Sequence, residues 1–341
     1  MKFSELKKGL ARYLSDSRAE PVEIQGLLRI PGGASRETWQ FDAVFGQQKH
    51  GLIVRIDPTE SLIETERRTE FAAMRAAFLA GLKAPEPLDC VEDLQWLGRP
   101  FSISVRVPGS SQLPHLDKGV RDKIGRLKWT ILGRLAGLEL SALDLGDTFT
   151  APKPEACAPE QLDYWANVLV EDGLHPDPIA AATIRWLRKN LPPPPQKLCL
   201  VHGDYRTGNF LCSPDGEITA ILDWEMAHIG DPLEDLAWSF DPVWSWEEKE
   251  NAGLLVPHAE AIEYWEAASG LRVDPDVFHW WRVFVALKGL AIWTSSSEAF
   301  HQSVNKNLSH AIAGWFAADR QHQVLIDYLS PLSNHRFPRI G

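Results

Sequence analysis

Two textures divide the chain. Over the first hundred residues, short runs of strand formers alternate with turns. Ile24–Ile30 leads into PGGASRET, Thr38–Phe45 follows, and a turn around Gln47–His50 opens onto a third run, GLIVRID. This predicts a β-meander interrupted by a Gly-rich turn. A helix of about 20 residues follows from near Glu60 to Ala80, because Ile63, Arg67, Glu70, Phe71, Met74, Ala77 and Phe78 keep helical spacing. GLKAPEPLD ends it. Cys90–Leu97 and Pro100–Val107 read as a second pair of strands, and VPGS breaks the pattern at Pro108 and Gly109.

Beyond Gly109 long helical patterns dominate: Val120–Ser141, Pro159–Glu171, Pro178–Asn190 and several between Pro257 and Ser330. The proline run LPPPPQ stops one helix before the strand LCLVHGD. The expected architecture is α+β in two lobes. Residues 1–107 form a small β-rich lobe with one main helix, and 108–341 form a larger, mainly helical lobe. A connector near Ser104–Gly109 joins them.

Composition narrows the function classes. A chain of 341 residues, 44% hydrophobic and 24% charged, is long enough for two lobes and has the mix of a globular protein. A formal net charge of -11 argues against a nucleic-acid partner. No run of about 18 apolar residues predicts a membrane span. The opening MKFSELKKGLARYL has helical spacing and charges, without the apolar core of a signal peptide. Cys90, Cys157, Cys199 and Cys212 have no paired spacing and read as reduced thiols, so a cytoplasmic protein is expected. The histidines form no HExxH pair, which makes zinc chemistry an unfavoured reading.

The densest chemistry lies in HGDYRTGNFLCSPDGEITAILDWE, His202–Glu225. Asn209–Cys212 and Ile218–Asp223 read as strands, and SPDG is a strong turn signal. Asn209 and Asp223 lie seven residues either side of Gly216, so an in-register hairpin sets them opposite each other at its open end. Asp204 enters the same end. These oxygen donors suit magnesium that keeps waters and phosphate oxygens in its shell. A cation there would also relieve the repulsion between the carboxylates. Each residue alone has a plainer reading as a turn, cap or strand-end residue. The D-x4-N spacing followed by a hairpin and then Asp223 is what points to phosphoryl transfer.

HGDYRTGNFL, ILDWE and GDPLEDLAW together resemble the aminoglycoside phosphotransferase superfamily of small-molecule kinases, and most closely its branch of kinase-like domains attached to acyl-CoA dehydrogenases. The resemblance covers nearly the whole chain. It implies a two-lobed, protein-kinase-like fold with ATP in the cleft and Mg2+ beside it. It departs from protein kinases in having HGD for HRD and DWE for DFG. It makes Asp204 the catalytic base and Asn209 and Asp223 the metal ligands. His202 reads as a support of the loop. Arg206 either touches phosphate or braces the loop, and Glu225 either backs the metal or is a solvated strand end. Asp231-Pro-Leu-Glu has the form of a helix start, and the family pattern also lets Asp231 brace the catalytic loop.

PGGASRET lacks the GK[ST] of a Walker A motif. In this position it resembles the family's phosphate-covering loop. Gly32 and Gly33 would let backbone approach the phosphates, with Ser35, Arg36 and Thr38 as further donors. Where kinases carry the phosphate-binding lysine, IVRID offers Arg55. An inward glutamate without a cation is costly, so Glu70 is its expected partner, with Glu66 one turn earlier as the fallback. The connector residues Ser104, Arg106 and Val107 are expected to meet adenine.

The acceptor is expected to be a small hydroxylated molecule. Glu247, Glu248, Glu260 and Glu263 either meet a cation or form solvated helix faces. The aromatics around Trp244, Trp246, Trp265, Trp280, Trp281 and Trp293 would also suit an acyl or hydroxy-acid substrate. A nucleotide-binding pseudokinase and a metal-dependent hydrolase are the competing readings, and a homo-oligomer stays open.

Overall fold

The computed structural model describes residues 2–30, 36–57, 67–113, 117–246, 248–304 and 308–330. Five strands, β1 (Glu23–Ile30), β2 (Glu37–Phe45), β3 (Gln48–Ile56), β4 (Pro87–Val91) and β5 (Phe101–Val105), form an antiparallel sheet in the order β1-β2-β3-β5-β4. Period-two alternation decides its two faces. Phe41, Ala43, Leu52, Val54, Ile56, Phe101 and Ile103 point to one side. There they meet Leu6, Leu10 and Leu14 of α1 (Phe3–Arg18), so this lobe has a second full helix where one main helix was expected. Arg55 shares the opposite face with Thr38 and Ser102, its cross-strand partners.

On that side lies α2 (Arg67–Leu79). The expected first turns of this helix, from Glu60 to Glu66, lie outside the described residues. Its buried stripe is Arg67, Glu70, Ala73, Ala76 and Ala77, while Phe78 is exposed. The alanines belong to the core of the larger lobe. This helix therefore bridges the lobes with small residues, and the expected Phe78 anchor turns outward.

One expected strand is displaced. Cys90–Leu97 reads as a strand, yet β4 ends at Val91. The Gln95 amide donates to Asp93 Oδ1 and Gly98 adopts φ 69°, which turns the chain back. Trp96 then meets Tyr13 edge-on, and the side chain of Leu97 lies against Gly9 of α1.

The larger lobe holds α3 (Lys118–Gly137), α4 (Cys157–Glu171), α5 (Pro178–Lys189), β6 (Cys199–Val201), β7 (Phe210–Cys212), β8 (Ile218–Ile221), β9 (His228–Gly230), α6 (Pro232–Ser239), α7 (His258–Ser269), α8 (Pro275–His301), α9 (Leu308–Ile312) and α10 (Ala318–Leu329). Several start as their caps dictate: Asp117, Asp177, Asp231 and Asp274 each accept amides of their own first turns. The core is aromatic, with Trp129, Trp238, Trp265, Trp280, Trp281 and Phe284 fully enclosed. Among the described residues no helix is long and apolar enough to cross a membrane.

The connector is tied to the hairpin β7–β8. Ser110 exchanges backbone hydrogen bonds with Cys212, 2.9 Å each way, and Thr219 Oγ1 donates to the Pro108 carbonyl at 2.7 Å. Gly109 takes φ 143°, where an added Cβ would lie 2.8 Å from Thr219 Oγ1.

Close approach of α3 and α7 yields a test of the larger core. An added Cβ at Gly133 would sit 2.5 Å from the Trp265 carbonyl oxygen and 2.8 Å from Ala268 Cβ. Gly133→Ala gains up to about 1 kcal/mol of helix propensity. It loses roughly 1–3 kcal/mol to overpacking. Urea unfolding should therefore show a net loss of stability, where an open helix site would show a gain.

Candidate active site

The hairpin β7–β8 forms as expected but in a different register. Phe210 pairs with Ile221 and Leu211 with Ala220, and then the ladder shifts, with Cys212 opposite Ile218. Thr219 is the extra residue of this bulge. Asn209 therefore faces Leu222, whose amide donates to its carbonyl at 2.7 Å, and Asp223 lies one residue past the pair. Asp223 adopts the left-handed φ of 69°. Such a conformation costs a non-glycine residue about 1–3 kcal/mol and recurs at functional sites. In this conformation the Asp223 carboxylate lies 3.2 Å from the Arg55 guanidinium.

Asp204 is held by three donors. Trp238 Nε1 donates to Oδ1 at 2.7 Å, Arg206 Nε to Oδ1 at 3.2 Å, and Asn209 Nδ2 to Oδ2 at 2.5 Å. Asn209 Nδ2 also reaches the Asp204 carbonyl at 3.0 Å. The amide nitrogen is thereby committed, and the Asn209 Oδ1 accepts no hydrogen bond among the described residues. The Arg206 guanidinium stacks on Trp244, 4.7 Å from its ring centre, and its Nη1 donates to the Thr207 carbonyl at 3.3 Å. It braces the loop.

Backbone geometry fixes the loop beneath. Gly203 adopts φ 84°, and an added Cβ there would lie 2.3 Å from the Met226 carbonyl oxygen. His202 is fully buried. Its Nδ1 accepts from the Asp204 amide at 3.2 Å, which leaves Nε2–H to donate to the Leu222 carbonyl at 2.9 Å. His202 thus supports the loop and links it to the strand leading to Asp223.

The brace expected of Asp231 belongs to Asp235. Asp235 accepts the amides of His202 at 2.6 Å and Gly203 at 2.9 Å. Burial still pushes its carboxyl up, against the pull of His202 and these amides. Asp231 instead caps α6 through the Leu233 amide and accepts Trp281 Nε1 at 3.1 Å. Burial raises its carboxyl to about 6. A cap faces its own helix, so the residue one turn on is the one that reaches the loop.

Lys128 lies below the same loop, completely buried in α3. Its Nζ donates to Thr207 Oγ1 at 3.2 Å and sits 4.2 Å from the Trp129 ring centre. Burial, then Arg206, lowers its pKa to about 7.

Across the cleft, Arg55 pairs with Glu70 and also reaches Asp223 Oδ1 at 3.2 Å and Glu225 Oε2 at 3.5 Å. Burial opposes the Arg55 charge, but Glu70, Asp223 and Glu225 outweigh it and raise its pKa. Glu70 also holds Arg36, which reaches Asp57 at 2.8 Å and Glu225 at 3.7 Å. Arg67 closes the cluster on Asp57. Glu225 thus faces two arginines and is no solvated strand end. Glu66, Gly32, Gly33 and Ser35 lie outside the described residues.

The connector is partly committed. Ser104 sits in β5, paired with Ile53 and Pro87. The Arg106 amide donates to the Gly51 carbonyl at 2.9 Å and its guanidinium to Asp42 at 2.7 Å, so neither is left for adenine. The amide of Val107 makes no hydrogen bond among the described residues. On the acceptor side Glu248 is bound by Arg121 and Asn251, while Glu247 lies outside the described residues.

Comparison with known proteins fits this geometry. The model of the phosphotransferase enzyme family matches residues 26–271, well over half of the chain. The chain belongs to that family. A putative aminoglycoside phosphotransferase from Ralstonia eutropha has a similar structure, with a TM-score of 0.72 at 21% identity, covering 94% of this chain and 97% of that one. A thermostable aminoglycoside phosphotransferase mutant solved with AMP-PNP and hygromycin B has a TM-score of 0.58 at 19% identity, covering 94% and 98%. A macrolide 2'-phosphotransferase from Brachybacterium faecium has one of 0.60 at 17% identity, covering 90% and 97%. At these identities the likeness establishes the two-lobed kinase-like fold. Among curated proteins, acyl-CoA dehydrogenase family member 10 of Mus musculus is 31% identical over 241 residues and member 11 of Gallus gallus 28% over 244. Each match covers 69% of this chain but only 22% and 30% of those longer proteins.

Glu70 carries the cluster that joins the lobes. Replacing it with Gln leaves Arg36 and Arg55 without their shared carboxylate. Glu70→Gln should lower stability on the order of 3 kcal/mol in urea unfolding. An unchanged midpoint would show that the remaining acids hold both arginines.

Proposed function

We propose that the protein transfers the γ-phosphoryl group of ATP to a hydroxyl of a small molecule, with Asp204 as the base. The observation that carries this reading is the convergence of Asp204, Asn209, Asp223 and Arg55 on one cleft, with Asp204 oriented by three donors. The acceptor oxygen attacks the γ-phosphorus as the bond to the β,γ-bridging oxygen breaks. ADP leaves, and the hydroxyl proton passes to the Asp204 carboxylate. Asp204 acts chiefly by orienting the hydroxyl in line, since Trp238, Arg206 and Asn209 lock its rotamer.

Asn209 and Asp223 would hold Mg2+. The donor set fits, being oxygen only, with Asn209 Nδ2 turned away towards Asp204. A Mg2+ held by these two residues would supply positive charge against the phosphates during transfer. Arg55 would hold the α- and β-phosphates, exchanging Asp223 and Glu225 for phosphate oxygens while Glu70 keeps its place. Phosphate-covering roles for Gly32, Gly33 and Ser35, and an adenine contact at Val107, complete the proposed nucleotide site.

The acceptor belongs to one of several classes: hydroxy acids, hydroxyacyl thioesters, sugars, amino alcohols or antibiotics. The Arg206–Trp244 stack beside Asp204 gives no support to a polycation. Glu248, offered as a partner for one, is already neutralised by Arg121.

Asp204→Asn tests the reading. Against a panel of these acceptors, ADP formation should fall about 100- to 10,000-fold in the variant. Nucleotide affinity should be retained. Tight ATP binding without turnover on any acceptor would favour a pseudokinase. Magnesium-dependent product formation without nucleotide would favour a hydrolase.

A further inference from the structure

Lys288 is a lone cation in the apolar run VFVALKGLAIW of α8, and its side chain is 1% exposed. Its Nζ donates to the Gly203 carbonyl at 2.7 Å and to Glu234 Oε1 at 2.9 Å. The other oxygen of Glu234, Oε2, meets His228 Nε2 at 3.0 Å, and His228 Nδ1 meets the Met226 carbonyl at 3.0 Å. A continuous chain thus runs from the residue before Asp204, through three titratable side chains, to the loop that follows Asp223. Lys288 Nζ also lies 5.1 Å from the ring centre of Trp238, the tryptophan that donates to Asp204.

We propose that Lys288, Glu234 and His228 form a positioning relay that sets the catalytic loop at Gly203 and the metal-binding loop at Met226 in one fixed relation. This rests on the phosphotransfer reading above. An isolated ammonium here would be expelled by desolvation, and an isolated carboxylate likewise; each is retained because the chain satisfies both. Burial by itself would raise the Glu234 carboxyl, but Lys288 and His228 hold it down at about 2. Both nitrogens of His228 face acceptors, an arrangement that needs both ring protons, so the imidazolium is the form that fits. Burial opposes that charge and Glu234 outweighs it, raising the His228 pKa above its ordinary value. The charged groups facing His228 are Glu234 from α6 and Lys288 from α8. As pH rises through the His228 titration, one ring nitrogen becomes an acceptor opposite another acceptor, and the grip on Met226 or on Glu234 is lost.

Relay and mere core filling differ in what they move. In Lys288→Met, verified as folded by its thermal transition, amide hydrogen exchange should quicken in both 202–209 and 222–228. In His228→Gln it should quicken in 222–228. Turnover should fall roughly 10- to 100-fold in kcat with the KM for ATP unchanged, as expected for misplaced reacting groups. The alkaline limb of the wild-type pH profile should be missing in His228→Gln. Unchanged exchange in both loops of either folded variant overturns the relay, whatever happens to turnover. Exchange requires no acceptor. If no acceptor is turned over by wild type, the phosphotransfer reading fails and exchange alone still decides the relay.

Discussion

The loop that carries Asp204 must leave its own backbone amides somewhere, and Asp235 is where they go. It is buried in α6 and accepts the amides of both His202 and Gly203. Buried amides left unpaired would cost about 1–3 kcal/mol each. With them satisfied, Gly203 can take its left-handed turn against Met226, and His202 can be enclosed completely. Asp204, Asn209 and Trp238 are then placed relative to one another by short hydrogen bonds.

The second constraint is ionic and lies between the lobes. Arg55 belongs to the sheet, Glu70 to α2, and Asp223 and Glu225 to the loop after β8. Charges this close are tolerated because each carboxylate faces a guanidinium. In the proposed phosphotransfer a phosphate and a cation would replace the contacts of Arg55 with Asp223 and Glu225. The cluster is buried on its Glu70 side and more open at Asp223.

What could be read in the sequence was local. Asp204, Asn209 and Asp223 lie within one hairpin and its entry loop, so their spacing and the SPDG turn brought them together. Arg55 with Glu70 was legible because an inward glutamate in an apolar stripe demands a cation. The register was not, because the bulge at Thr219 is answered by the Pro108 carbonyl from a distant segment. The brace falls to Asp235 and not to Asp231 because the cap signal is local and the brace is tertiary. Lys288 carries a signal of its own in the sequence: a lysine amid VFVALKGLAIW must find an acid in the core. The strand expected at Cys90–Leu97 moved because Trp96 and Leu97 pack against α1, and α1 is 80 residues away in the chain.

The account stands or falls on where the γ-phosphorus goes. Phosphorus-31 NMR of the wild-type protein with ATP, Mg2+ and the acceptor panel follows it directly. The account predicts that ATP disappears as ADP and a new phosphomonoester resonance grow together, with one acceptor class. ATP converted only to ADP and inorganic phosphate, or left unconsumed with every acceptor while still bound, would contradict it.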